Sequence, residues 1–149
     1  MKFVRADKRV WLVRWLYLVA LGHLIAAIVM TWWAESPWLA YYHQQAVASF
    51  KLAEPSQLIG LQHWWFQLFG ATLQAFSLFM LLLVYLGNRY ADSLIWFVLG
   101  FAILWWAPQD IYISLRQSMW SHLWVDLGAI VAIVPAAIWL ALIDRGVGR

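Results

Sequence analysis

LQHWWFQLFGATLQAFSLFMLLLVYL, residues 61–86, runs for twenty-six residues without one Asp, Glu, Lys or Arg. A helix crossing the roughly 30 Å hydrocarbon core of a bilayer needs about 20 apolar residues. This stretch therefore reads as a membrane span. Its polar and small residues follow a pattern. His63, Gln67, Gly70, Gln74, Ser77 and Leu81 are spaced four, three, four, three and four apart, the heptad repeat of a helix face that meets another helix. Lipid supplies no hydrophobic drive between helices, so small residues and amides mark the interface. The seam faces a bundle interior, either as packing between helices or as the polar wall of a cavity.

Three further spans flank it. The four are expected over about 10–33, 61–86, 91–109 and 120–143, within a single integral membrane domain over 1–149. The first is read as a retained span, because its apolar run is too long for a cleaved signal peptide. The fourth contains Pro135, which a membrane helix tolerates when neighbours satisfy the freed carbonyl. Composition agrees: the chain is 65% hydrophobic and 11% charged, whereas soluble domains run at roughly 25% charged. No cysteine is present, which excludes disulfides, thiol catalysis and thiolate metal sites. The net charge of +3 is spread over helix ends and gives no support to nucleic-acid binding.

The connections differ. Gly87 to Asp92 reads as a tight turn and Pro108 to Ser118 as a short polar loop. Glu35 to Gly60 is long. Inside it, Ser36 before Pro37 reads as an N-cap with a first-turn proline. Leu39, Tyr42, Ala46, Ser49 and Phe50 then fall at helical spacing, and Pro55 ends the pattern. A helix over about 37–52 is expected, lying flat in the interface or acting as a lid over the bundle mouth. Eight Lys and Arg (Lys2, Arg5, Lys8, Arg9, Arg14, Arg89, Arg145, Arg149) stand on one side against Lys51 and Arg116 on the other. By the positive-inside rule both termini are cytoplasmic, in a bacterial inner membrane. The expected fold is an all-α, four-transmembrane-helix, up-down-up-down bundle with an interfacial helix in the first outer loop.

Polar residues concentrate toward the outward side. His122 and Asp126 are four apart and so share one helix face. A carboxylate at the centre of a span costs about 2.5–3.5 kcal/mol, so Asp126 needs a partner. Asp110, Gln62 and His63 reach the same level, and Glu35 and His43 come from the long loop. No equivalent is expected at the cytoplasmic end. Deeper in the bilayer, His23 and Gln74 are at matching depth; His23 is expected to be a neutral histidine with its hydrogen bond satisfied, and a bond to Gln74 is one way to satisfy it. Nine of the thirteen tryptophans lie at the outward level, among them the doublets Trp32-Trp33, Trp64-Trp65 and Trp105-Trp106. They form an aromatic belt, or some of them line a pocket.

Two families are similar in outline. Tryptophan-rich sensory proteins share the length and tryptophan content, but have five spans and proline–tryptophan signatures absent here. The sterol-isomerase and sigma-2-receptor superfamily resembles this chain in layout, and Trp65-Phe66-Gln67-Leu68 looks like its second span. The acidic residues that resemblance implies there are missing, so no family is assigned and no residue role is carried over.

The leading functional expectation is binding, with conversion left open, of a membrane lipid or a hydrophobic small molecule. The site would comprise His63, Gln67, Gln74, Asp110, His122 and Asp126, with Trp65, Trp106 and Trp124 as apolar walls. No cofactor or metal is expected. His63, His122, Asp110 and Asp126 suit a divalent ion by type, but no compact pair supports one. The alternative is an accessory subunit of a larger inner-membrane complex, or a homo-oligomer, in which the polar residues are packing glue. A lone channel is disfavoured because no polar path runs through the spans.

Overall fold

The computed structural model describes residues 2–49 and 55–145. Phe50, Lys51, Arg149 and the last three residues of the helix expected over 37–52 lie outside them. The described residues form helices α1 (Lys2–Trp32), α2 (Ala40–Ser49), α3 (Pro55–Tyr90), α4 (Ser93–Arg116) and α5 (Trp120–Arg145). A 3-10 turn, Pro37–Leu39, leads into α2. Four helices are long and apolar enough to cross a membrane: Asp7–Trp32, Leu58–Tyr90, Ser93–Arg116 and Trp120–Arg145. The shortest has 24 residues and so is about 36 Å long. These are the helices of an integral membrane protein. Their outward faces carry exposed Leu18, Ile25, Phe79 and Val131, apolar surface that hydrocarbon covers.

Two expected connections are helical. The residues Gly87 to Tyr90 continue α3, and the turn is confined to Ala91 and Asp92. Ala91 takes a left-handed φ of 49°, and the Asp92 side chain caps α4 by accepting from Leu94 N at 2.9 Å. Gly87 is there for closeness and makes no turn: a Cβ on it would lie 2.7 Å from the Trp96 ring. Pro108 likewise sits inside α4, which runs on to Arg116. In a membrane helix, local adjustments and neighbouring groups satisfy the carbonyl that proline frees. This extension puts Trp96, Leu99, Ile103, Ala107 and Ser114 on one buried face, at helical spacing.

The helices associate as two close pairs, α1 with α3 and α4 with α5, joined by lighter contacts of α1 with α5 and α3 with α4. The seam of α3 faces inward as its spacing predicts. Gly70 and Ser77 are buried, and His63, Gln67, Gln74 and Leu81 are half-buried. Opposite lie Ala20 and Ala27 of α1, with Ala34 in the turn just past its end, all buried. Gly70 sets the approach, since a Cβ there would stand 2.8 Å from the Thr31 backbone nitrogen. Gln74 Nε2 donates to Thr31 Oγ1 at 2.7 Å, and Thr31 donates to Ala27 O at 2.9 Å. The His23–Gln74 bond does not form. His23 Nδ1 instead bonds Val19 O in its own helix at 2.8 Å, which satisfies it without leaving α1. Near Pro135, Trp15 Nε1 donates to Ala132 O at 2.7 Å, tying α1 to α5 beside the proline.

One end of the bundle corrects the expected asymmetry. Asp144, 3% exposed, accepts from Arg9 Nε at 2.8 Å and Arg9 Nη2 at 3.1 Å. Its Oδ2 also accepts from the indole of fully buried Trp96 at 2.8 Å. Arg9 reaches on to Asn88 Oδ1 at 3.0 Å and Gly87 O at 3.3 Å. The start of α1, the end of α3, the start of α4 and the end of α5 are thus locked into one knot. Sequence reading missed it because Asp144 lies just past the apolar run and Trp96 passes for a belt residue.

Two predictions follow from this packing. Gly70→Ala should destabilise the bundle by about 1–3 kcal/mol, as overpacking against backbone does. Gly128→Ala, with nothing within 4 Å of the added methyl, should leave the thermal midpoint in detergent unchanged. Asp144→Asn should cost about 3 kcal/mol, the low end for breaking a buried ion pair, because the Arg9 side chain keeps 20% exposure. Thermal unfolding of the three variants beside the parent chain checks both.

Candidate functional site

The other end gathers polar side chains from four helices. Asp110 and Ser114 lie one turn apart on α4, and His122 and Asp126 one turn apart on α5, because residues four apart share a helix face. The α4–α5 connection turns through Ser118 at φ 58°, which brings the two faces together. Ser114 Oγ and His122 Nδ1 are 3.2 Å apart, and His122 Nε2 is 2.9 Å from Tyr42 Oη of α2. The rings of Tyr42 and His122 are stacked, 5° from parallel. Either tautomer of neutral His122 satisfies both bonds. The ring N–H donates to one hydroxyl and the bare nitrogen accepts from the other.

Asp126 is 2% exposed. Its carboxyl approaches that of Asp110 within hydrogen-bonding reach, and its Oδ2 has no partner. A bond between two carboxyls needs one proton, since a carboxylate only accepts. The stack expected between His122 and Asp126 is therefore divided between two networks. His122 belongs to the Tyr42–Ser114 chain and Asp126 to Asp110.

Helix α2 packs against α3 beside this end. Pro37 occupies the first turn, but Ser36 makes no side-chain cap, and Pro55 opens α3. The buried face of α2 is His43, Ala46 and Val47. His43 is 1% exposed, and its Nε2 donates to Ala34 O at 2.8 Å. Its ring meets His63 edge-on at 4.4 Å and Phe66 at 4.9 Å. Burial pushes the pKa of His43 below the ordinary histidine value; the bond to Ala34 opposes this and His63 adds to it. Burial raises the pKa of Tyr42, and the neighbouring Asp110 carboxyl raises it further, so the Tyr42 hydroxyl keeps its proton.

Of the residues expected at the site, His63, Asp110, His122 and Asp126 gather at this end. Gln67 lies half-buried along the α3 seam. Gln74 is one helical stretch deeper, bonded to Thr31, and belongs to the α1–α3 contact. Trp65, Trp106 and Trp124 turn outward, 58%, 36% and 69% exposed, and do not wall a space between the helices. Tyr42 and Ser114 were not expected; His43, expected at this level from the long loop, is buried there. The signal for Ser114 was its spacing of four from Asp110, hidden while Pro108 marked a loop. Among the described residues no group of three or more histidines and carboxylates is arranged to hold a metal ion. Two surface grooves lie elsewhere, one beside Lys8, Trp11 and Trp139 and one running from Phe97 to Arg145. Comparison with known protein families, with curated proteins and with solved structures finds no match.

Tyr42→Phe removes the one hydrogen bond between α2 and α5. Its loss should weaken α2 docking by about 1 kcal/mol, or roughly fivefold in the open population. Hydrogen–deuterium exchange of the α2 amides would show the same factor, with α1 and α5 unchanged.

Proposed function

We propose that this chain binds a small amphipathic or lipid-like ligand at the Asp126 end of the bundle. The polar head would lie against Asp110, His122 and Asp126, and the apolar tail among the spans. The observation that carries this reading is Asp126 itself: a carboxyl buried in a membrane protein, facing Asp110, with one oxygen unpartnered. A buried acceptor left without a donor costs about 1–3 kcal/mol, and intramembrane ionisable residues mark binding or transfer sites. The reading includes an up-down-up-down arrangement. The joining of Arg9, Asn88, Trp96 and Asp144 at one end supports it, as does the joining of Ala34, His63, Ser114 and His122 near α2 at the other. With Lys and Arg biased toward the Asp144 end, that end is cytoplasmic. The Asp126 end then faces outward from a bacterial inner membrane, α2 lies at the outer interface, and the ligand enters from the outer leaflet.

A second reading is favoured by the tryptophans. Trp65, Trp105, Trp120 and Trp124 are all more than half exposed, and such a surface suits a larger membrane partner, with this chain as an accessory subunit. Native mass spectrometry after gentle extraction separates the two. Under the ligand reading, the parent chain carries a small molecule. Asp126→Asn, whose amide still bonds Asp110, carries about tenfold less, a loss of about 1.4 kcal/mol, with an unchanged thermal midpoint. A chain that carries no small molecule but a second polypeptide, and loses it on Asp126→Asn, selects the accessory reading.

A further inference from the structure

Helix α2 is held lightly. It packs on α3 and on the 3-10 turn before it, and no close backbone approach joins it to α4 or α5. Its link to α5 is the Tyr42–His122 bond. Its anchor is His43, enclosed by the Ala34 carbonyl, His63 and Phe66. A carbonyl oxygen only accepts, so Nε2 carries the hydrogen and Nδ1 is bare. Nδ1 is buried with no partner. A proton added there would create an N–H with no acceptor and a positive charge out of water, and both are costly. The titratable groups about His43 offer no ready counter-ion. They are His63 on α3, Tyr42 on α2 and exposed Glu35 after α1, with His122 of α5 and Asp110 of α4 beyond Tyr42.

We propose that His43 is a proton-operated latch: neutral, it holds α2 across the Asp126 end of the bundle; protonated, it releases α2 and opens the way to the Asp110–Asp126 pair. The purpose assigned to the opening rests on the ligand reading above; the latch itself does not. Docked, His43 takes up a proton less readily than the ordinary value of 6.5. As pH falls from about 6.5 toward the lower docked value, the released helix is protonated and the docked one is not. Docking is therefore full above that window and weakens through it. One proton sets a ceiling of about thirtyfold between pH 7.5 and 5.

The chain has no cysteine, so single thiols report cleanly. In the lipid-reconstituted full chain, Val47→Cys places a thiol on the buried face of α2 and Gln44→Cys places one on its exposed face. The ratio of their labelling rates cancels the intrinsic pH dependence of the thiol. It should rise at least fivefold from pH 7.5 to pH 5. With His43→Gln added, which keeps an N–H for the Ala34 carbonyl and does not titrate, the ratio should stay flat. With His63→Gln the rise should persist. A flat ratio in the His43 chain overturns the latch, and this arm does not need His43→Gln to fold. A rise retained in His43→Gln assigns the proton to another group and overturns it too. Labelling is read without ligand, so a chain that binds no amphiphile rejects the site and leaves the latch to stand or fall on its own ratio.

Discussion

A carboxyl inside a membrane protein has to find its hydrogen-bond partners within the protein, because hydrocarbon offers none. Helix α5 carries two, Asp126 and Asp144, eighteen residues apart. At 3.6 residues per turn that is a whole number of turns, so both lie on one face, about 27 Å apart along the axis. The two are met in opposite ways. Asp144 takes three hydrogen bonds, from an arginine and an indole. Asp126 meets another acid and leaves one oxygen bare. One end of the helix is saturated with donors and the other is not.

The rest of the architecture arranges itself around that face. The buried residues of α4 and α5 run in register from Trp96 and Asp144 at one end to Ser114 and Asp126 at the other. Gly87 gives way to the Trp96 ring so that the indole can reach Asp144. Gly70 gives way to Thr31 so that α1 and α3 close on each other. Small residues stand where backbones or rings must approach. The amide of Gln74 is used once, on Thr31, as expected of interhelix bonds in lipid.

The spans and the α3 seam were legible because composition and period-seven spacing are properties of a single helix. The sites were less so, because they depend on which helices meet. Asp110 and Asp126 were legible as a shared level, since Asp110 falls at the end of its expected span and Asp126 about one turn inside its own. Asp144 escaped because it stands immediately after the apolar run, and its partner Arg9 is far away in sequence. The tryptophan doublets gave no sign of their direction. Adjacent residues on a helix point about 100° apart, and only the packing decides which ring meets lipid. Tyr42 fell within the expected face of α2, while His43 one residue on is the buried member; a short helix leaves its rotation undetermined by spacing alone.

The pairing of α1 with α3 and α4 with α5 gives the bundle a mechanical grain. The boundary between the pairs is riveted at the Asp144 end by the Arg9–Asp144 ion pair, tied midway by the Trp15 indole on Ala132 O, and bridged at the far end by the Tyr42 phenol. Over a lever of about 27 Å from that ion pair, a rotation of about five degrees between the pairs would part their far ends by about 2 Å, a distance on the scale of one methyl group.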